Sequence, residues 1–228
     1  MTDGPPTIAA TGARARQREE RRQRLIAAAR TLLAEGGASG FSMATLAQRA
    51  NLSLATPYNL FGSKAAILHA VVAAEFAGLY RAVGTADPRD PARLTLEVAG
   101  RIGQVVARKP AFYRGLSHSL SVLGPEELRG LMVPLGETML TPLAQAMAAA
   151  GMIRAALPAE VLGVQFAFAV EAVFLHWAAL DWSGPRLTAE LSLSMGLTLL
   201  GALTEPPRPA FAAALDTVTA QLIAMRAA

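Results

Sequence analysis

The chain has 228 residues, of which 53% are hydrophobic, and it contains no cysteine. This length suffices to bury a sizeable core in one domain or in a small domain joined to a larger one, and the lack of cysteine excludes disulfides, thiolate catalysis and cysteine-based zinc sites. Residues 1–64 carry nine Lys or Arg against four Asp or Glu, a net charge of +5, whereas residues 65–228 carry twelve against thirteen. A basic first third is the charge distribution expected when one end of a protein meets nucleic acid.

Helix-forming residues dominate, so the sequence predicts an all-α protein of about nine or ten helices. Alanine and leucine are abundant, β-branched residues are sparse, and most prolines fall between periodic segments. The opening MTDGPPT lacks the basic and apolar regions of a secretory signal. The longest stretch without a charged residue, Thr138 to Ile153, has 16 residues and contains Pro142. Because a spanning helix needs roughly 18 to 20 residues, we predict no membrane segment and expect the protein in the cytoplasm.

The amino terminus is predicted to be a disordered arm, residues 1–13, followed by a basic helix from about Arg16 to Glu35. Gly36 and Gly37 end that helix. Arg14 and Arg16 open a run of six arginines. Such a run forms either a solvated helix face or a contact with the DNA backbone or minor groove, and we favour DNA contact for these two.

The segment Ser42 to Lys64 has the spacing of two short helices joined by a tight turn. Ser42 is predicted to cap a helix from about Met43 to Ala50, and residues 51–53 form the corner. Ser53 then caps a second helix from Leu54 to Leu60, and Gly62 ends it because glycine tolerates the left-handed conformation. This is a helix-turn-helix, in which the second helix enters the DNA major groove.

Pro57 complicates the start of the second helix. Proline lacks an amide hydrogen and biases the preceding Thr56 away from helical geometry. Thr56 followed by Pro57 is itself a good cap and first-turn pair, so the helix has two candidate starts, at Ser53 or at Thr56. We favour the Ser53 start, with local distortion.

At these residues the chain resembles the amino-terminal domain of the tetracycline-repressor (TetR) family of bacterial regulators. The positions that carry the resemblance are Thr45, Ala50, Leu52, Ser53, Thr56, Tyr58, Phe61, Ser63 and Lys64. It implies a DNA-binding domain over residues 14–64 and a ligand-binding and dimerisation domain over residues 65–228. Leu54 departs from the family pattern, in which a polar residue often reads bases, and leaves only an apolar contact there. The expected DNA contacts are Arg14, Arg16, Ser42, Thr45, Ser53, Leu54, Thr56, Tyr58, Asn59 and Lys64.

The rest of the chain is a series of periodic segments separated by Gly and Pro. Ser63 is predicted to cap a long helix from Lys64 to about Val83, which links the DNA-binding end to the next layer. Further helices are predicted at about residues 92–108, 110–122, 125–150, 158–181, 187–204 and 209–226.

The helix predicted over residues 158–181 is apolar nearly all round, which requires burial on more than one side. The following helix combines leucines with small residues that allow close helix approach. The resemblance implies that two late helices of each subunit form a four-helix dimer interface, and we expect this pair to do so, with the last helix as the competitor.

No catalytic constellation or metal-ligand spacing is present in the sequence, so we expect neither an enzyme nor a cofactor. A small effector is instead expected to bind among aromatic residues of the larger domain, although each of these residues is individually more typical of core packing. Glu171 is an acid in an apolar helix and must be solvated, paired or facing a cavity. The candidate ligand-binding residues are Phe76, Tyr80, Phe112, Tyr113, His118, Phe166, Phe168, Glu171 and Trp177.

The sequence therefore predicts a homodimeric, sequence-specific DNA-binding regulator with a palindromic operator. The resemblance implies that it is a repressor released by a small hydrophobic effector, although an activator or a constitutive DNA binder fits the same residues. The alternative is a helical small-molecule binder or enzyme whose basic end meets a membrane surface or RNA.

Overall fold

A computed structural model describes residues 8–36, 41–83, 91–205 and 209–227. These residues form ten α-helices and no strand, which confirms the predicted all-α fold. The helices are α1 (Ile8–Gly36), α2 (Met43–Arg49), α3 (Ala55–Phe61), α4 (Lys64–Val83), α5 (Pro91–Ala107), α6 (Pro110–Ser121), α7 (Pro125–Ala149), α8 (Ala159–Ala179), α9 (Gly184–Leu200) and α10 (Pro209–Ala227).

The two largest errors in the predicted helix boundaries are at the start of α1 and at the end of α9. The first helix was expected at about Arg16, after an arm of residues 1–13, but α1 begins at Ile8, and residues 1–7 lie outside the described part of the chain. The ninth helix was expected to reach Thr204, but it ends at Leu200. The amide of Thr204 instead donates to the carbonyl of Met152 at 2.9 Å, so this segment pairs with the loop between α7 and α8.

Helix α1 joins the two predicted domains, because it packs against α2, α3 and α4 and also against α6. Gly115 on α6 permits this approach, since a Cβ there would lie only 2.1 Å from the carbonyl oxygen of Leu33. The buried apolar residues form one cluster that runs from Leu25 on α1 to Leu215 on α10. The larger part of the chain is built from α7 on α8, α5 on α9, and α9 between α8 and α10.

Glu75 on α4 forms polar contacts with α1 and with residues of α6 and the position before it. Its side chain is 7% exposed and forms ion pairs with Arg30 of α1 at 2.8 Å and Lys109 at 3.3 Å. The hydroxyl of Tyr113 on α6 also donates to it at 3.3 Å. One buried carboxylate on α4 therefore connects α1 to the amino-terminal end of α6.

Helix α8 packs against both α7 and α9, which confirms the expected burial on more than one side, but a further face is exposed in the single subunit. Val161 and Phe168 are 45% and 48% exposed, whereas Leu162, Phe166 and Trp177 are buried. By length and composition α8 is also the one helix in the described ranges that is apolar enough to cross a membrane, because its charges are limited to Glu160 and Glu171. The prediction of no membrane segment considered only charge-free stretches and did not identify it.

Candidate nucleic-acid interface

The first helix of the helix-turn-helix, α2, is capped as predicted. The hydroxyl of Ser42 accepts from the amide of Thr45 at 3.0 Å, and the amide of Ser42 donates to the hydroxyl of Thr45 at 2.9 Å. This reciprocal pair is a capping box, which satisfies amides that a helix start leaves unbonded. Both side chains are exposed, but their hydroxyls are occupied by this structural role. Their expected contacts with DNA remain a prediction.

The second helix, α3, begins one residue after the favoured start, and Leu54 before it already has helical dihedral angles (φ −56°, ψ −32°), so the alternative start at Thr56 is wrong. It runs from Ala55 to Phe61 with Leu54 as its first flanking residue, rather than from a Ser53 cap. The Ser53 hydroxyl lies 2.8 Å from the hydroxyl of Thr56 and caps no amide. Pro57 is therefore the third residue of the helix, where no intrahelical amide bond is required, so it costs the helix no hydrogen bond.

One face of α3 points away from the protein. Leu54 is 58% and Tyr58 is 52% exposed, and Asn59 is also exposed, whereas Pro57 is buried and Thr56 is half-buried. Gly62 follows with φ of 78°, a left-handed conformation that ends the helix as predicted. The exposed face presents one apolar group, one phenol and one amide, and an amide can read adenine in the major groove.

A cleft of about 430 Å³ separates the start of α3 from α1. It is lined by Ser53 and Thr56 on one side and by Gln17 and Arg21 on the other. Arg24, in the same wall, donates to the carbonyl of Asn51 at 3.1 Å and so supports the turn. Gln17 was missed by sequence reasoning, because only the folded turn brings position 17 beside position 53.

The remaining cations of this end are arranged around α1 and α4. Arg14 and Arg16 are exposed on α1. Lys64 is half-buried at the start of α4, and its ammonium lies 5.2 Å from the centroid of the Phe41 ring. Arg49 donates to Glu35 at 2.7 Å, and this hydrogen bond holds the pKa of the Glu35 carboxyl below its usual value. Lys64 and Arg49 thus also brace the domain.

Part of the predicted ligand site forms a row of aromatic rings between α6 and α8. The centroids of Phe112 and Tyr113 are 4.8 Å apart, Tyr113 meets Phe174 at 6.2 Å, and Phe174 stacks on Trp177 at 5.8 Å. Burial, and then the adjacent Glu75 carboxylate, raise the pKa of the Tyr113 phenol, so it remains a neutral donor. Phe174 was not among the predicted ligand residues, since nothing in its spacing distinguished it from core.

The other predicted ligand residues do not converge on this row. His118 is exposed on α6, and Phe168 lies on the outer face of α8 rather than in the interior of the subunit. Phe166 is fully buried. Glu171 is half-buried without a hydrogen-bond or ion-pair partner among the described residues, and this burial raises the pKa of its carboxyl. The side chains of Phe76 and Tyr80 lie outside the described part of the structure.

Residues 25–71 match the family model of the bacterial regulatory proteins, tetR family. This range contains the last part of α1, all of α2 and α3, and the start of α4. The amino-terminal domain is therefore a tetR-family helix-turn-helix domain. A comparison with curated proteins finds no match.

Solved structures with the same fold cover most of the chain. One is a TetR-family repressor, FadR of Thermus thermophilus, in complex with lauroyl-CoA (TM-score 0.67, 24% identity, 82% of this chain and 98% of that chain). A TetR-family regulator from Pectobacterium atrosepticum has a TM-score of 0.59 at 22% identity and covers 89% of this chain and 100% of its own. FadR of Bacillus subtilis, in complex with stearoyl-CoA, has a TM-score of 0.57 at 16% identity, with 78% and 98% covered. At these identities the likeness concerns the fold.

Proposed function

We propose that this chain, whose amino-terminal domain is of the tetR family, is a homodimeric transcriptional repressor that leaves a palindromic operator when a small hydrophobic effector binds. The observation that carries the proposal is the outward face of α3, with Leu54, Tyr58 and Asn59 exposed beside the arginines of α1. A helix so exposed fits the major groove, whose width admits one helix. The arginines supply the phosphate contacts that position it.

The proposed subunit contact is the exposed face of α8 together with α9. Phe168 is 48% exposed on α8 and Leu197 is 55% exposed on α9, and apolar side chains of this size are costly to leave in water. The competing surface is α10, where Ile223 is 65% exposed. We favour α8 and α9 because these two helices pack on each other and expose three large apolar side chains, Val161, Phe168 and Leu197, whereas the described residues of α10 expose one. Twofold symmetry would then place two α3 helices on successive major grooves about 34–36 Å apart.

The proposed release mechanism passes through the contacts of Glu75. An effector bound beside the α6 and α8 aromatic row would alter the position of α6, and Tyr113 and Lys109 would carry that change to Glu75 on α4. Because α4 follows α3 directly, a tilt of α4 changes the distance between the two α3 helices of the dimer, which we call the reading helices. The effector shifts this equilibrium only by its differential affinity for the two states.

The chemical class of the effector is proposed as a largely apolar molecule. Two solved structures of similar fold hold acyl-CoA, in which an apolar acyl chain is joined to a charged nucleotide, so lauroyl-CoA and stearoyl-CoA belong in a thermal-shift panel beside uncharged hydrophobic compounds. A ligand of the native state raises the melting temperature by mass action. No shift with any compound would favour a constitutive DNA binder instead.

The decisive experiment selects bound fragments from random and genomic duplex DNA. We expect a palindrome whose half-site centres lie one helical turn apart, and replacement of Tyr58 by alanine should lower affinity for it more than for unrelated DNA. Salt-dependent binding without sequence preference would refute the proposal, because it is the behaviour of a membrane or RNA surface binder.

The contribution of the basic helix is measured by the salt dependence of the same binding. Replacing Arg16 by alanine should reduce the slope of log K against log salt by about 0.9 for each phosphate that the side chain no longer neutralises. The matched control is Arg154→Ala, which also removes one positive charge. Arg154 lies past the carboxyl end of α7, a helix of 25 residues whose other end adjoins the DNA-binding domain. An equal change of slope in both variants would assign the effect to net charge alone.

A further inference from the structure

A second cleft, of about 460 Å³, lies at the junction of the DNA-binding domain and α7. Its walls come from four helices: Arg22 of α1, Leu60 and Phe61 at the end of α3, Ala65, Ala66, His69 and Ala70 of α4, and Glu127 and Gly130 of α7. This volume is within the range of small-molecule sites in proteins. The cleft does not include any residue of the α6 and α8 aromatic row.

The polar groups of the junction cleft favour an anion. The Arg22 guanidinium carbon lies 4.3 Å from the centroid of the Phe61 ring, Nη1 donates to the carbonyl of Leu60 at 3.4 Å, and Nε pairs with the Glu19 carboxylate at 3.7 Å. The Arg22 side chain remains 34% exposed, and the half-buried His69 is on the same surface. Among the described lining residues the acid is Glu127, whose Oε2 accepts from the amide of Gly124 at 3.3 Å. A planar guanidinium held on a ring is preorganised for a carboxylate.

The other walls supply an apolar floor from α4 and, from α7, a carbonyl whose helical donor is missing. Alanines of α4 leave a flat surface opposite Leu60 and Phe61, which suits a ring. Pro134, inside α7, has no amide hydrogen, so the carbonyl of Gly130 four residues earlier lacks its helical donor. A ligand hydroxyl can supply that donor.

We propose that the junction cleft binds a small hydroxylated aromatic carboxylate. The carboxylate pairs with Arg22 beside His69, the ring lies on the alanines of α4, and the hydroxyl donates to the Gly130 carbonyl. Such a ligand bridges α7 to the end of the reading helix, so its occupancy is coupled to DNA affinity. Only this coupling rests on the proposed function, and binding itself does not.

The test uses 4-hydroxybenzoate as the probe and titrates it into the full chain without DNA, with calorimetry as the readout. The expected dissociation constant is about 1 mM or tighter, the range for a ligand of this size. Ala66→Phe, which fills the cleft, should abolish binding. Ala74→Phe, at an exposed position of the same helix, should leave it unchanged. Arg22→Gln should weaken binding at least tenfold, and circular dichroism confirms that each variant is folded.

Charge recognition is tested with 4-hydroxybenzamide, which keeps the ring and the hydroxyl but has no charge. It should bind at least tenfold more weakly than the acid. No heat from 4-hydroxybenzoate, equal binding of the amide, or unchanged binding by folded Ala66→Phe would each overturn the site. Coupling is measured afterwards on selected DNA fragments, where the probe and the DNA must change each other's affinity by the same factor. Binding without that coupling would retain the site and refute its regulatory role.

Discussion

Replacing Glu75 by alanine tests whether one buried carboxylate holds the DNA-binding end on the rest of the molecule. The variant removes the acceptor shared by Arg30 at 2.8 Å, Lys109 at 3.3 Å and the Tyr113 hydroxyl at 3.3 Å. It leaves two positive charges without their partner at the junction of α1, α4 and α6.

The magnitude follows from the exposure of the groups that remain. Breaking a buried ion pair from one side costs about 3–5 kcal/mol, mainly because a charge is left uncompensated. Here the side chains of Arg30 and Lys109 are 38% and 59% exposed, so water resolvates them in part. We therefore expect Glu75→Ala to lower the free energy of unfolding by about 2–3 kcal/mol, discounting the buried value for this solvent access. For a chain of this length that corresponds to a melting temperature lower by about 4–12 °C.

The assay is chemical and thermal unfolding followed by circular dichroism. Glu126→Ala serves as the control, because Glu126 also pairs with an arginine, Arg129, but both side chains are exposed. Its expected loss is below about 1 kcal/mol. Glu75→Gln retains an acceptor for Tyr113 but loses the charge, so its loss of unfolding free energy should lie between those of Glu75→Ala and Glu126→Ala. A Glu75→Ala variant no less stable than Glu126→Ala would refute the reasoning.

Three further changes probe packing, titration and assembly. Gly163→Ala should destabilise by about 1–3 kcal/mol in denaturant titration, since its Cβ would lie 2.7 Å from the α7 backbone, whereas Gly100→Ala, with nothing within 4 Å, should stabilise slightly. Burial raises the pKa of Glu171 in the folded state above its unfolded value. The free energy of unfolding therefore falls as the pH rises from the unfolded pKa through the folded pKa. Glu171→Gln should therefore raise the melting temperature at pH 7 but not near pH 4, and an equal shift at both would contradict this. Phe168→Asp should halve the mass measured by sedimentation, whereas Val122→Asp, at an exposed position after α6, should leave it unchanged. If Phe168→Asp remains a dimer, the subunit contact lies elsewhere, with α10 as the next candidate.

Helix positions could be read from the sequence because proline and glycine separate them. Pro110, Pro125 and Pro209 each open a helix at the predicted residue. The start of α3 could not be read in this way, because Ser53 and Thr56 both resemble caps and only the structure shows their hydroxyls bonded to each other. Local spacing supplies candidates, and the folded turn selects among them.

Contacts between distant residues were beyond sequence reasoning. Glu75 was not singled out, since its partners at positions 30, 109 and 113 are far away in the chain. The outer face of α8 was also unreadable, because a helix that is apolar all round has no periodicity to show which side meets water. Phe168 was accordingly placed in a cavity, although it lies on the surface.

Pro134 divides α7 into two halves with different anchorage. Beyond it, Thr141 lies against Gly163, where the two backbones come too close for a side chain, so the rear half of α7 is packed tightly on α8. Before it, Glu127 and Gly130 line the junction cleft. Pro134 and Pro142 both lack an amide hydrogen, but Pro142 follows the Thr141 contact with α8, so we expect α7 to bend at Pro134. A bend at Pro134 would let the front half of α7 move with α3 while the rear half stays packed on α8.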